Sequence, residues 1–301
     1  MLQGDNGVMA VPQVFDPLLI RRRLARAAGT MPDFLTAGLI DDLIERLGLV
    51  KRHFADAADI GTPTPALTLR LRQTMRACHF APVAGLAASE PSQVLESEAL
   101  DLAPESLDLI TSVAALQFAN DLPGIFTQVK RALKPDGLFL ACMAGGASLQ
   151  ELRTCLTEAE IELNGGASPR VIPFADVRDI GALAQRAGFA LPVVDLDRVT
   201  VRYPDMFALM ADLRGLGASN PLYDRARTPA SRAMFLRAAA LYAARFSDTD
   251  GRIRASFDWI WLSGWAPHAS QQKPLRPGSA TMRLADALKT TEIKAAEIKV
   301  K

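Results

Sequence analysis

Alternating apolar and polar stretches in the middle of the chain predict a strand, a helix and a second strand. Leu107–Ser112 is a short apolar run, typical of a strand buried on both faces. Leu122–Leu133 has apolar residues at helical spacing and follows Asn120 and Asp121, either of which suits a helix cap. Leu138–Met143 is the next buried strand. This arrangement implies a parallel, right-handed crossover.

The same pattern continues along the chain and predicts seven strands. They are Phe54–Ile60, His79–Val83, Gln93–Leu95, Leu107–Ser112, Leu138–Met143, Leu191–Asp195 and Ile253–Trp261. The predicted helices are Pro17–Ala28, Phe34–Leu47, Ala66–Met75, Leu122–Leu133, Ser148–Asn164, Ala175–Ala187, Tyr203–Gly215 and Ala230–Phe246. Strands that alternate with helices indicate an α/β fold with a doubly wound, mainly parallel sheet. Two helices precede the sheet, and two are inserted before its last strand.

One turn is predicted in detail. Lys134-Pro135-Asp136-Gly137 joins the central helix to the strand that follows it. Proline presets φ, and Gly137 is expected to take the positive φ that the turn requires.

The chain length and composition agree with one large domain. The chain has 301 residues, nearly half of them hydrophobic, so a sizeable core is available. We expect a flexible N-terminus over residues 1–15 and a single domain over 16–284, with a helical insertion at about 203–247. The remaining residues, 285–301, are rich in Lys, Glu, Ala and Thr and are expected to form a flexible tail.

Charge and cysteine content exclude several classes of function. The formal net charge is +1, which gives no general reason to expect a nucleic-acid partner. Three cysteines and three histidines are scattered and predict neither a disulfide framework nor a metal site. No stretch is long and apolar enough to span a membrane. Leu18–Ala28 is Arg-rich like an organellar presequence, but Asp16-Pro17 before it is typical of an ordinary helix start. We therefore expect a cytoplasmic location.

The loop after the first strand is the expected ligand site. In doubly wound sheets, ligands bind above the carboxyl ends of the strands. A nucleotide-like ligand favours glycine there, because the backbone must approach closely with its N–H groups directed at the ligand. Gly61 meets this requirement, whereas Pro63 and Pro65 have no N–H. Alternatively, Thr64 and Pro65 suit the cap and first position of the following helix.

Motifs that extend well past the sheet resemble those of class I S-adenosylmethionine methyltransferases. Within that group the chain resembles the mitochondrial complex I assembly factors of methyltransferase fold, one of which is an arginine hydroxylase. It is more distantly similar to the malonyl carrier-protein methyltransferase. The motifs include FANDLP at 118–123, LKPDGLF at 133–139, ELR at 151–153, GGASP at 165–169, RAGF at 186–189, VDLD at 194–197, YPDMFALMADLRGLGASN at 203–220 and GWAPHASQ from 264.

The resemblance implies a Rossmann-like methyltransferase fold, S-adenosylmethionine as cofactor and a set of cofactor-binding residues. That set is Asp59, Gly61, Thr62, Gly85, Glu96, Ser97 and Val113. It assigns no catalytic residue. Tyr203, Asp205, Asn220 and Arg276 lie in the C-terminal motifs, where they either line an acceptor site or act as caps and turn residues.

The sequence departs from the family pattern at the cofactor loop. The family has approximately Asp-x-Gly-Cys-Gly-x-Gly, and this chain has proline at 63 and 65; Gly85 stands where the acidic ribose ligand is expected. Gln117-Phe118 replaces a His-Trp pair after the fourth strand. Each hydrogen bond lost to a charged group is worth roughly 1.5–3 kcal/mol. Losing two of them, the one from the ribose carboxylate and the one from a loop N–H, is expected to lower the affinity by about 10²–10⁴.

Three functions follow from the resemblance. The altered loop favours a methyltransferase-like protein with impaired cofactor binding, a pseudo-enzyme that assists assembly or modification of a respiratory complex I subunit, with a peripheral-arm subunit as partner. The second is an active methyltransferase on a small-molecule or carrier-protein acceptor. The third is an arginine-hydroxylase-like enzyme.

Overall fold

The computed structural model describes residues 13–27, 34–74, 79–80, 98–272, 279 and 282–290. Within these residues the sheet has six strands. They are β1 Asp56–Asp59, β2 His79–Phe80, β3 Leu107–Val113, β4 Leu133–Gly145, β5 Ala190–Tyr203 and β6 Ile253–Trp265. Their order across the sheet is β2-β1-β3-β4-β6-β5. Of the seven predicted strands, Gln93–Leu95 lies outside the described residues.

Eight helices occupy the predicted positions with small shifts at their ends, whereas the short helix Leu284–Ala287 was not among those predicted. The described helices are α1 Pro17–Ala27, α2 Phe34–Gly48, α3 Ala66–Thr74, α4 Leu122–Ala132, α5 Gln150–Asn164, α6 Val177–Arg186, α7 Met206–Gly215, α8 Arg232–Phe246 and α9 Leu284–Ala287, with a 3₁₀ turn at Leu116–Phe118. No helix in the described part of the chain is long and apolar enough to cross a bilayer. Residues 268–301 form a separate compact unit that contains α9.

Strand pairing confirms a doubly wound, mainly parallel sheet. β1 pairs in parallel with β2 and with β3, and β3 pairs in parallel with β4. β6 is antiparallel to both β4 and β5. The helical insertion, α7 and α8, lies in sequence between β5 and β6, as predicted.

Apolar clusters cover both faces of the sheet. On one face Leu43 of α2 belongs to the same cluster as Leu109 and Trp261. On the other face Phe126 of α4 packs against Phe139, with ring centroids 5.7 Å apart. Because each face is covered by helices, β3 and β4 are buried along most of their length rather than at alternate residues.

β5 is longer than its apolar pattern predicted. It spans 14 residues, from Ala190 to Tyr203, and pairs with β6 along its whole length apart from an irregularity near its start. Most of its side chains are exposed because it is the edge strand. Its second half is polar enough, for example at Asp197 and Arg198, that no buried strand was predicted there.

Lys134–Gly137, predicted as a turn before the strand, falls within β4 at an irregularity in its pairing with β3, and the positive φ lies one residue earlier than predicted. Asp136 has the positive φ, 67°, and Gly137 does not. A Cβ at position 137 would lie 2.9 Å from the carbonyl oxygen of Lys134 and 3.1 Å from that of Leu107. Glycine is therefore needed at 137 for the close approach of backbones, and Asp136 takes the left-handed conformation, which Asp tolerates better than most residues.

Two neighbouring polar side chains before α4 have different roles. Asp121 caps the helix by accepting a hydrogen bond from the Gly124 N–H at 2.8 Å. Asn120 instead binds the backbone of residues 14 and 15. The helices α6, α7 and α8 are capped in the same way as α4, by Asp176, Asp205 and Ser231.

Candidate functional site

A cavity of about 540 Å³ opens at the carboxyl ends of β1, β3 and β4, a size typical of small-molecule sites. We divide its lining into two sets by the elements that carry them, and call these sets the floor and the roof. The floor follows the strands and consists of Gly61, Thr62, Pro63, Ala114, Ala115 and Gln117. The roof comes from α1 and α7 and consists of Ile20, Arg21, Leu24, Met210, Leu213 and Arg214.

Thr62 ties the first floor loop to the end of β3. Its buried hydroxyl donates to Oδ1 of Asp59 at 2.7 Å and accepts a hydrogen bond from the Val113 N–H at 3.0 Å. Thr111 also donates to Asp59 Oδ1, at 3.1 Å. Desolvation raises the pKa of Asp59 to about 7, while the two hydroxyl donors act in the opposite direction. Asp59 is thus held behind the cavity and does not line it.

The first loop offers few backbone donors to a ligand. Gly61 has φ +74°, which allows the chain to turn over the end of β1. Pro63 lines the cavity and has no N–H. Pro65 lies at the start of α3, where its carbonyl accepts from the Leu69 N–H at 3.0 Å. Within the described ranges, the buried hydroxyl of Thr64 has no hydrogen-bond partner. The loop is therefore shaped more by the start of the helix than by a phosphate-like ligand.

Gln117 presents an unused acceptor to the cavity. Ala114, at the end of β3, has φ +53°, an uncommon conformation for a residue with a Cβ. The chain then enters the 3₁₀ turn, and Nε2 of Gln117 donates to the Ala114 carbonyl at 2.7 Å. Oε1 of Gln117 is buried and has no hydrogen-bond partner among the residues that the structure describes. An unpaired buried acceptor in a cavity is the group that a ligand N–H satisfies.

Arginine supplies all the formal charge among the described lining residues. Arg21, Arg170 and Arg214 line the cavity, and no Asp or Glu in the described part of the chain does so. Arg170 binds Glu160 through Nε at 2.9 Å and Nη2 at 2.6 Å, and this partner lowers the pKa of Glu160. Arg214 is exposed and forms no ion pair with a described residue. The formally charged side chains in the described lining are therefore all cationic, and one of them, Arg170, is paired with Glu160.

The wall between floor and roof is aromatic. Phe257 and Trp259 of β6 stack with centroids 6.2 Å apart and an angle of 6° between their planes. Both line the cavity together with Phe174 and Phe235. Trp261, two residues further along β6, is buried in the core instead. Trp259 and Trp261 have the same spacing along β6, so the sequence pattern does not distinguish the residue that lines the cavity from the one that lies in the core.

The structure brings some of the predicted cofactor residues together. Gly61 and Thr62 line the cavity, and Asp59 and Val113 lie directly behind Thr62. The other three, Gly85, Glu96 and Ser97, lie outside the described residues. Cofactor contact stays a prediction for all seven.

Of the four residues considered for an acceptor site, one lines the cavity. Asn220 does so, while its Nδ2 donates to the Pro169 carbonyl at 2.7 Å and its Oδ1 accepts from Leu222. Asp205 is the cap of α7, accepting from the Ala208 N–H at 2.9 Å. Tyr203 is buried at the end of β5, and Arg276 lies outside the described residues. No group of His, Cys, Asp or Glu in the described ranges is arranged to hold a metal ion.

Sequence comparisons agree with this architecture. A family described as "Methyltransferase domain" matches residues 63–141. The human mitochondrial arginine-hydroxylase NDUFAF5 is 35% identical over 286 residues, which cover 91% of this chain and 83% of that protein. The Dictyostelium discoideum protein of the same name is 44% identical over 193 residues, 64% of this chain and 44% of its own length. The malonyl-[acyl-carrier protein] O-methyltransferase of Methylovorus is 30% identical over 282 residues, which cover 87% of this chain and 93% of that enzyme.

These relatives overturn the expected location. The NDUFAF5 proteins of human and Dictyostelium are both named as mitochondrial, so the expectation of a cytoplasmic protein is wrong. A near-neutral charge and the lack of a long apolar run fit the interior of an organelle as well as the cytoplasm, so the composition held no information on this point. The alignments span less than half of the Dictyostelium protein but most of the human one. By the extent and identity of the human match, the chain belongs to the NDUFAF5 family of methyltransferase-domain proteins.

Proposed function

We propose that this protein binds S-adenosylmethionine weakly on the floor of the cavity and acts in the assembly or modification of a subunit of respiratory complex I. The observation that carries the cofactor assignment is the buried Oε1 of Gln117, which has no hydrogen-bond partner within the described part of the chain and belongs to the same cavity as Gly61. That position is where doubly wound sheets bind their ligands.

The floor fits the amino-acid end of this cofactor. Its ammonium group would donate to Oε1 of Gln117, and the backbone at Gly61 and Thr62 permits close approach. The cavity volume suits a ligand of this size. When bound, the cofactor supplies an electrophilic methyl group. The aromatic wall of Phe257 and Trp259 would keep water away from it.

The same floor accounts for weak binding. Pro63 removes a donor from the cavity surface, and the Thr62 hydroxyl is already used by Asp59 and Val113. A hydrogen bond to a charged group is worth roughly 1.5–3 kcal/mol, so each missing donor costs about 10- to 100-fold in affinity. We therefore place the dissociation constant well above the micromolar range.

The partner in this proposal is a peripheral-arm subunit of complex I, an extension from the names of the NDUFAF5 relatives. The proposed functional unit is residues 16–284, with the insertion at 203–247 contributing the roof helix α7 to the cavity. That placement supports a role for the insertion in admitting the acceptor.

Titration calorimetry of the full chain with S-adenosylmethionine tests the cofactor assignment. We expect saturable binding in the high micromolar to millimolar range, and about a tenfold loss in Gln117→Leu, because that variant lacks the acceptor. Gln185→Leu, on the exposed side of α6, is the matched control. Absence of binding at millimolar cofactor would overturn the assignment, and low-micromolar binding would overturn the claim of weakness. Co-purification with a tagged peripheral-arm subunit tests the assembly role separately.

A further inference from the structure

The edge strand β5 has one side of its backbone without a partner strand in the described part of the chain. It spans 14 residues and pairs with β6, and the sheet order places no described strand beyond it. The Leu196 N–H donates to Oδ1 of Asp195, at 2.9 Å. Pro192 and a pairing irregularity before Val193 protect only the start of this edge. The rest of the strand is long and regular enough to pair with another strand.

Apolar side chains on the same edge are exposed to solvent. Val193 is 61% exposed, Leu196 41% and Val199 38%. Aliphatic side chains in a strand are stabilised by neighbours on an adjacent strand. The edge therefore offers a partner both backbone hydrogen bonds and apolar contacts, which is the combination used in strand addition.

Carboxylates crowd the side of β5 that faces α2. Asp195 and Asp197 lie opposite two tryptophans of β6 that pack in the cluster covered by α2. Burial and the nearby charge of Asp197 raise the pKa of Asp42 on α2. Among the described residues, Arg46 is the cation in contact with this group, with Nη2 at 3.6 Å from Oδ2 of Asp195. Three carboxylates therefore share one guanidinium, and this side of the edge has a net negative charge.

The arginines of β5, in contrast, are neutralised by acids of the same chain. Arg198 forms two hydrogen bonds with the buried carboxylate of Asp258. Arg202 pairs with Asp248 and Asp250. A strand added to β5 would therefore meet unbalanced charge on the α2 side of the sheet and balanced charge on the α6 side.

We propose that β5 binds an extended basic segment of a protein partner, which adds to the sheet as a further strand. Basic residues at two alternate positions of the segment lie opposite Asp195 and Asp197, and an apolar residue between them lies opposite Leu196. Side chains directly opposite in paired strands have Cβ atoms about 4.5–5.5 Å apart, which allows ion pairs. This inference goes beyond the proposed function, because the described lining of the cavity includes no residue of β5.

The charge pattern favours this partner over a second copy of the chain. Two copies of β5 paired antiparallel about Leu196 would place Asp195 opposite Asp197. Pairing about Asp197 would place that residue opposite itself. Like charges directly opposite each other destabilise paired strands, whereas a basic segment neutralises both carboxylates.

Calorimetric titration of the full chain with three capped heptapeptides tests the proposal. Val-Thr-Lys-Val-Lys-Thr-Val has the required alternation in either chain direction. The second peptide has glutamate in place of both lysines. The third, Thr-Val-Lys-Lys-Val-Val-Thr, has the same composition as the first but places its lysines on opposite faces of a strand. We expect the first to bind at least about tenfold more tightly than the glutamate peptide and about threefold more tightly than the reordered one. Equal affinity for the first and either of the others would overturn the proposal.

Hydrogen-exchange mass spectrometry locates the bound peptide. Strand addition gives the outward N–H groups of β5 new acceptors, so amides of residues 193–200 should exchange more slowly with the first peptide bound. Binding of that peptide without protection of these residues would refute β5 as the site.

A pair of double variants tests the charge recognition. Asp195→Asn with Asp197→Asn should weaken the first peptide by about threefold to tenfold. Asp101→Asn with Asp224→Asn removes the same charge from exposed positions outside β5 and α2 and should leave its affinity unchanged. Equal affinity in the two double variants would refute recognition by the carboxylates.

Sedimentation and the cofactor titration separate the remaining outcomes. A dimer that excludes the first peptide and protects residues 193–200 by itself would assign the edge to a second copy and overturn the proposal. The S-adenosylmethionine titration addresses the cavity alone. Peptide binding without cofactor binding therefore fails only the proposed function, and the reverse result fails only this inference.

Discussion

The side-chain amide of Asn120 forms hydrogen bonds with both the N–H and the carbonyl group of Phe15. Its Oδ1 accepts the Phe15 N–H at 2.8 Å, and its Nδ2 donates to the Phe15 carbonyl at 3.2 Å. Oδ1 also accepts the Val14 N–H at 2.8 Å. Phe15 is further held by an edge-to-face contact with Phe118, at 6.3 Å between centroids. The chain segment that leads into the roof helix α1 is therefore fastened to the loop that leaves the floor.

Removing the Asn120 amide should destabilise the attachment of residues 14 and 15, which precede the roof helix α1. Asn120→Ala deletes three hydrogen bonds, so we expect the free energy of unfolding to fall by about 1–3 kcal/mol and amide exchange at Val14 and Phe15 to accelerate. Hydrogen-exchange mass spectrometry measures the second effect directly. Asn120→Asp keeps the acceptor for both N–H groups and is expected to preserve their protection. Equal exchange in the alanine variant and the wild type would contradict the role of Asn120.

The contact between α1 and the end of α7 should be sensitive to a single methyl group. Gly217 and Gly251 both have left-handed backbones, with φ of +71° and +83°. A Cβ at 217 would meet Leu24 at 2.8 Å, whereas nothing lies within 4 Å of one at 251. Alanine at either position adds about 1–2 kcal/mol of backbone strain. We expect chemical denaturation to show a larger loss for Gly217→Ala, and equal losses would mean that the helices tolerate the methyl group.

Asp59 should make stability depend on pH in a defined direction. Its pKa is about 7 in the folded protein, above the ordinary value of 3.8, so the folded state binds a proton that the unfolded chain releases between these values. The contribution of this group to the free energy of unfolding therefore falls as the pH rises from about 4 to about 7. The Asp59→Asn variant has no ionisable group at this position, so its free energy of unfolding does not fall for this reason. Its stability relative to wild type should therefore increase as the pH rises from about 4 to about 7. A constant difference between the two proteins at all pH values in denaturant titrations would argue against the raised pKa.

Restoring a donor to the first loop should tighten cofactor binding. Pro63→Ala returns one N–H at the cavity surface, which is worth roughly 1.5 kcal/mol to a charged ligand, or about tenfold in the dissociation constant for S-adenosylmethionine. Calorimetry on the variant and on wild type gives the comparison. Pro123→Ala, at the start of α4, exchanges the same residue types outside the cavity and should leave the constant unchanged. No gain in Pro63→Ala would show that the loop conformation, not the missing donor, limits affinity.

Periodicity identified the elements with large buried faces. Leu109 and Phe139 lie in strands whose apolar runs are continuous, and Phe126 lies on the inner stripe of α4. The second half of β5 was missed because it is an edge strand with polar, exposed side chains such as Arg198 and Thr200. After α4, residue preference alone predicted the positive φ at Gly137. In the structure Asp136 has the positive φ, and Gly137 is needed because backbone carbonyl groups approach it closely.

The floor could be located from the sequence, and the roof could not. Gly61 and Thr62 follow a predicted strand, and ligands of such sheets bind at strand ends. Arg21 and Arg214 stand far apart in the chain and converge only because α1 packs on the end of α7. The spacing of charged residues along either helix does not predict that contact. The position of Trp259 in the cavity could not be predicted either, because a strand residue that lines a cavity has the same periodicity as one in the core.

The division of the cavity between separate stretches of chain has an evolutionary consequence. Pro63, Ala114 and Gln117 fall within the segment shared with methyltransferase domains in general, residues 63–141, whereas Arg21 and Arg214 fall outside it. Substitutions in α1 and α7 can therefore change this part of the cavity lining without disturbing the sheet on which the cofactor would rest. In this fold, new specificity can arise by substitution in two peripheral helices, while the strand ends are inherited.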